Sequence, residues 1–301
     1  MKSPLLSLLF INSLLLSFDY KLQPVEVGES THCFFGHSEV MDEHNNGNIS
    51  NSCFVNMGAS YLVIDSGSTY SYALQAYEKI KKINNLPISY VVNTHVHDDH
   101  WLGNGYFKEQ GAKIIGDKEF EALPIEEKTR MQRRVTPEAY AKTTQTHPTI
   151  FVEDEKVLDF DGTKVQLKSV NNKAHSNSDL YIYIPSKRIV FVGDLVFNDR
   201  VPSIRDGNLA GWIEALDEVK TLDVDYIVGG HGAMITPDSV VMTYNYLSDL
   251  QNAVAEAIEN DIGIDEAVNA ITLDKYKNVN LYDMMHRQNV EVAYRMLEWG
   301  E

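Results

Sequence analysis

The stretch that most limits what this chain can fold into is Thr94-His95-Val96-His97-Asp98-Asp99-His100. It directly follows Ile88-Ser89-Tyr90-Val91-Val92, an apolar run that reads as a strand. Three imidazoles and two carboxylates within six residues at a strand end are a costly arrangement unless something cationic holds them. A pair of metal ions would do so, and the rest of the chain can be searched for the ligands such a pair needs.

A chain of 301 residues, 44% hydrophobic and 23% charged, can bury a substantial core and reads as one large globular domain. Its net charge of −17 repels phosphate backbones, and no basic cluster interleaved with aromatics offsets it, which speaks against nucleic acid as a partner. The expected partner is a small-molecule substrate; oligomeric state is not readable. Lys2 followed by the nearly all-apolar Leu5 to Leu16 has the pattern of a signal peptide over residues 1–18, leaving residues 19–301 as the mature domain. The expectation is therefore an exported protein, periplasmic or secreted, with no stable membrane insertion after cleavage. An uncleaved apolar anchor and a retained first strand are the alternatives. Cys33 and Cys53 would close a 20-residue loop if oxidised, worth about 3 kcal/mol, and would be small core residues if reduced.

Along the chain, Asn45-Asn46-Gly47-Asn48 forms a turn cluster suited to linking antiparallel strands. Strands are expected at 52–57 and 60–65, a helix at 70–83, and then the strand leading into His95. A helix to Gln110 and a short strand at 113–116 follow. Residues 117–141 read as largely helical, with Arg130 to Arg134 as a solvated basic face. β-Character returns at 149–152, 164–170, 180–184 and 188–192, and helical segments occupy about 237–301. Two β-rich halves, each followed by helices, suggest two sheets packed face to face with helices outside.

Further ligand-type residues stand where later strands emerge. His175 lies in a polar loop between two strands, Asp194 ends a hydrophobic strand, and His231 follows Gly229-Gly230, where glycines let the backbone approach closely. Imidazole and carboxylate ligands suit zinc, with iron or manganese as other possibilities, and three ligands per ion leave a position for water. Asp65, in a strand-end turn, suits the support of a ligand histidine. Asn198 and Arg200 follow Asp194 in a loop that must border the site, and Arg200 or Arg205 could anchor an acidic group. His32, His37, His44, His147 and His286 read as surface or loop histidines, and Trp101, Trp212 and Trp299 as packing residues.

The ordered set His95-x-His97-x-Asp99-His100, His175, Asp194 and His231, with Asp65 before it, resembles the metallo-β-lactamase fold superfamily of metallohydrolases over roughly residues 34–232. The resemblance implies a four-layer αββα sandwich. It places His95, His97 and His175 on a first metal, Asp99, His100 and His231 on a second, and Asp194 between the two. It implies a dinuclear zinc hydrolase in which a metal-bridging hydroxide attacks a small ester, amide, lactone, thioester or phosphoester. Asp99 would orient that hydroxide and relay a proton. Class B1 zinc β-lactamases carry cysteine at the position of Asp194 and a lysine at that of Phe197, so the pattern departs from theirs, and a β-lactamase of another type is an alternative. Glyoxalase II is similar in its ligands but has a larger C-terminal domain. The region 175–232 looks like exported hydrolases found beside quinoprotein or sulfur-oxidation systems. A mononuclear-iron persulfide dioxygenase is a second alternative, whereas flavodiiron proteins have a glutamate where His97 stands. A non-enzymatic binding module on the same fold commonly loses ligands, and here all seven are present.

Overall fold

The structure, a computed structural model, describes residues 18–170 and 172–300. The signal-peptide expectation therefore falls, Phe18 apart, outside the described residues.

One sheet runs in sequence order through β1 (Val25–Glu26), β2 (Thr31–Phe34), β3 (Ser52–Asn56), β4 (Tyr61–Ile64), β5 (Ile88–Val92), β6 (Lys113–Asp117) and β7 (Ile150–Val152). The second holds β8 (Glu155–Phe160), β9 (Thr163–Ser169), β10 (Leu180–Ile184), β11 (Ile189–Phe197) and β12 (Tyr226–His231), with β11 and β12 parallel and the other pairs antiparallel. The helices are α1 (Tyr70–Lys81), α2 (Asp98–Trp101), α3 (Asn104–Glu109), α4 (Pro137–Tyr140), α5 (Leu209–Lys220), α6 (Ser239–Glu259), α7 (Ile264–Ala270) and α8 (Tyr282–Trp299).

Three apolar seams make four layers of these elements. Val55, Leu62, Ile64, Val92 and Ile115 of the first sheet meet Leu167, Ile182, Phe191 and Val228 of the second. On the outer face of the first sheet, α1 and α3 bury Tyr72, Ala76, Ile80 and Phe107. On the outer face of the second, Trp212, Leu216, Leu247, Leu250, Val254 and Val290 come from α5, α6 and α8. Helix α1 starts where the Thr69 hydroxyl accepts from Tyr72 N–H, a cap worth about 1 kcal/mol. Its buried positions recur at helical spacing, and removing Ile80 from water contributes about 2 kcal/mol more. This is the αββα sandwich expected.

Cys33 and Cys53 face each other across β2 and β3 and are joined in a disulfide. Two local expectations fail. Residues 117–141 are mostly irregular, with only one-turn helical pieces at 118–121, 131–133 and 137–140. Pro124 and Pro137 remove N–H donors there, and isolated anchors such as Phe120 and Met131, in place of a continuous stripe, fix the segment to Trp101 and Leu102. Strand β8 was not foreseen because only its Leu158 is buried, so no run of alternating apolar residues marks it.

A candidate dinuclear metal centre

At one end of the sandwich, His95, His97, Asp99 and His100 leave β5, His175 stands between β9 and β10, and Asp194 and His231 lie within β11 and at the end of β12. Leu180 N–H donates to Thr94 C=O (2.7 Å), fastening the two sheets together beside them.

All seven expected ligand residues are brought together, in two groups that could each hold a metal ion. In the first group, His95 Nε2 and His175 Nε2 each lie 3.0 Å from His97 Nδ1, and Asp194 also belongs to it. Proton assignment exposes the lone pairs. Thr94 Oγ1–H is given to Asp65, so His95 Nδ1–H donates to Thr94 Oγ1 (3.1 Å) and Nε2 is bare. His97 Nε2 faces Asp206 Oδ2 at 3.3 Å, which keeps the proton on Nε2 and leaves Nδ1 bare. In the second group, His100 Nδ1–H donates to Asp65 Oδ2 (2.8 Å) and His231 Nδ1–H to Ile49 C=O (2.6 Å). Their Nε2 atoms point to Asp99 Oδ2, at 3.5 and 3.6 Å.

Asp194 divides its carboxylate between the groups. Oδ2 lies 3.5 Å from His95 Nε2 and 3.3 Å from His175 Nε2, and Oδ1 lies 3.2 Å from His100 Nε2 and 3.3 Å from His231 Nε2. His100 Nε2 and Asp194 Oδ1 are buried and form no hydrogen bond. Converging imidazole nitrogens and carboxylate oxygens, with His100 Nε2 and Asp194 Oδ1 buried and without a hydrogen bond, are unfavourable alone and match the donor set of divalent cations, so these residues fit a metal pair. Burial alone would push the Asp194 carboxyl up, yet His231, His100 and His95 hold it well below the usual carboxylate range. The same contest lowers Asp99, where His100, Arg130 and His231 outweigh burial.

Asp65 accepts from Thr94 N–H, Thr94 Oγ1–H and His100 Nδ1–H, each at 2.8 Å. Two glycines make the crowding possible. A Cβ on Gly230 would lie 2.0 Å from Asp194 Oδ1, and Gly193, at φ +50°, would place one 2.5 Å from Thr94. Phe197 stacks on His231 with ring centroids 4.9 Å apart and also touches His175, forming an apolar floor under both groups.

Sequence reasoning missed several participants. Arg130 is exposed on one side, as expected of a basic face, but it also reaches the site: its Nη2 donates to Asp99 Oδ1 (2.6 Å) and Asp98 Oδ1 (2.7 Å), while Met131 N–H holds Asp98 Oδ2. The turn cluster continues into a buried strap in which Ile49 C=O orients His231, Ser50 Oγ–H holds Asp99 C=O (2.7 Å), and Asn51 Nδ2 reaches Gly229 and Gly232. Backbone carbonyls carry no sequence signature. His286 is buried, not superficial, between the Tyr246 hydroxyl and Ile271 C=O. Asn198 is occupied with Met234, whose N–H donates to Asn198 Oδ1 (2.9 Å), and Arg200 lies against the Phe197 ring, 5.5 Å from its centre. A cleft of about 330 Å³ opens beside His97 and Asp98, walled by Val96, Trp101, Leu123 and Pro124 and rimmed by Arg130 and Arg205.

Residues 45–231 match the family model of the metallo-beta-lactamase superfamily. The chain belongs to that superfamily. It is 23% identical over 216 residues to a hydroxyacylglutathione hydrolase of Prochlorococcus marinus, covering 69% of this chain and 76% of that protein. It is 20% identical over 256 residues to a linear primary-alkylsulfatase of Pseudomonas sp., covering 70% of this chain and 48% of that enzyme, so it spans about half the length of that relative. Both relatives are hydrolases, in agreement with the expected enzyme class. Among solved structures, a metallo-beta-lactamase from Pontibacter korlensis superimposes with TM-score 0.60 at 17% identity, over 76% of this chain and 99% of that one. A double mutant of the sec-alkyl sulfatase PisA1 superimposes with TM-score 0.69 at 15% identity, over 92% of this chain and 50% of that one. These two likenesses concern the fold. Among the described residues, no helix is long and apolar enough to cross a membrane.

Proposed function

We propose that this chain is a dinuclear, zinc-dependent hydrolase of a small ester-type substrate. The observation that carries the reading is the division of Asp194, with one oxygen facing each imidazole group. His95, His97 and His175 would hold one ion, Asp99, His100 and His231 the other, and Asp194 both. The chemistry supplied by bound ions is a water acidified to near neutral pH and a polarised scissile oxygen.

The chain's own residues do the rest. Arg130 fixes Asp99 Oδ1 and keeps the carboxylate ionised, so Oδ2 is the acceptor that orients a water and passes its proton toward the leaving group. Phe197 excludes water from behind His231, and the cleft beside His97 suits a small apolar group, with guanidiniums at its rim for an acidic one. The hydroxyacylglutathione hydrolase relative favours a thioester, the alkylsulfatase a sulfate ester. A panel of chromogenic lactone, thioester, phosphodiester, sulfate-ester and lactam substrates, run with and without chelator, tests the reading. Turnover of one ester class, lost on chelation and restored by zinc, is the expected result; turnover indifferent to chelation contradicts it.

The Cys33–Cys53 disulfide supports export to an oxidising compartment, as does the apolar stretch after Lys2. Mass spectrometry of the mature protein from its native host checks this, and an N-terminus at Met1 would contradict a cleaved signal.

A further inference from the structure

The loop between β11 and α5 borders the metal centre, and its anchor lies in the C-terminal helices. Asp206, in this loop, faces the distal nitrogen of His97 at 3.3 Å. A carboxylate at that position fixes the tautomer and the ring orientation of a ligand histidine. The neighbouring Arg205 steadies Asp206, with Nη2 2.7 Å from its Oδ2.

Four contacts tie the loop to the segment before α8 and to α8 itself. Val201 N–H donates to Asn280 C=O (2.9 Å), and Asn280 Nδ2 donates to Asp199 C=O (2.8 Å). Asn289 Nδ2 donates to Pro202 C=O (2.8 Å), and Ile204 N–H donates to Asn289 Oδ1 (3.3 Å). Asn289 is 2% exposed on the inner face of α8, where an amide is unfavourable unless both its ends are paired. Both ends are spent on the loop. Its second N–H goes to the Tyr246 hydroxyl (2.9 Å), which donates in turn to His286 Nδ1 (3.0 Å), and His286 Nε2–H donates to Ile271 C=O (3.0 Å). Every group in this chain of hydrogen bonds has one direction, so the Asn289 amide cannot turn over without orphaning a buried partner.

We propose that Asn289 and Asn280 are positioning residues through which the C-terminal helical segment holds Asp206 against His97 and so sets the first metal group. This rests on the reading of His97 as a ligand.

The test is a two-step titration of metal-free protein with Co²⁺ against a competing chelator, read by visible absorption, with amide exchange at Val201 and Ile204 as a second readout. Asp206→Ala should weaken the first ion about 10- to 100-fold and leave the second unchanged. Asp206→Asn, whose amide oxygen can accept the same N–H, should recover part of the loss. Asn289→Leu should weaken the same ion about tenfold or less and speed exchange at Ile204. Asn280→Ala, at an exposed position that cannot unfold the core, should show a smaller weakening with faster exchange at Val201. Unchanged first-ion affinity in the Asn289 and Asn280 variants, or equal losses at both ions, would overturn the inference while leaving the metal reading intact. A wild-type protein that binds no Co²⁺ would overturn both.

Discussion

The two halves of the candidate metal centre are built differently. The group of Asp99, His100 and His231 is braced on every side: His100 by Asp65, which Thr94 holds in turn, His231 by the Ile49 carbonyl, and Asp99 by Arg130. In the group of His95, His97 and His175, only His95 is braced from the core, by Thr94, and the other two are held more loosely. His97 is the most exposed of the seven side chains at 22%, its brace is the half-exposed Asp206, and His175 Nδ1 has no hydrogen-bond partner. The braced group also brings a carboxylate of its own. The difference teaches that one half is preset by the core while the other depends on a loop, so the braced half should retain its ion longer under chelation.

The substitution with the largest expected effect erases the distinction altogether. Asp194→Ala removes the oxygen facing each group, and turnover should fall about a thousandfold or more, with metal content dropping below one ion per chain. Retention of two ions would break the account of Asp194 as the shared residue. Next, Asp65→Ala should cost the braced group about 10- to 100-fold in metal affinity, since it frees His100 Nδ1. Chelator titration of that variant should invert the order in which the two ions leave; an unchanged order would show that the bracing is ornamental.

Arg130→Gln should act more weakly, lowering kcat about tenfold with little change in KM, because Asp99 loses its orientation but stays in place. A change confined to KM would move Arg130 from the braced group to the substrate cleft. Least of all at the site, Cys33→Ser with Cys53→Ser should leave metal content untouched while lowering stability by about 3 kcal/mol in denaturant unfolding. Loss of metal in that variant would mean that the disulfide reaches the centre through β3, which the geometry gives no reason to expect.

The same contrast explains what could be read in the sequence. The candidate ligand residues were legible because each is a ligand-type side chain on or beside a strand that emerges at one end of the sandwich, and the order His95 to His231 follows the order of the strands. Asp65 was legible for the same reason. The braces were not: the Ile49 carbonyl is a backbone atom, Arg130 sits in a charge-rich irregular segment, and Asp206 and Asn289 are distant from His97 in sequence. Their roles exist only once loops from separate parts of the chain close over the sheet edge. Fold class was legible from alternating blocks of strand and helix, whereas β8 was hidden by the charged residues of an outer strand.

The most direct test of the central claim is elemental quantification of metal in the purified full-length protein after expression with zinc. Two transition-metal ions per chain is the result predicted by a carboxylate shared between two imidazole groups; a protein with none would contradict it.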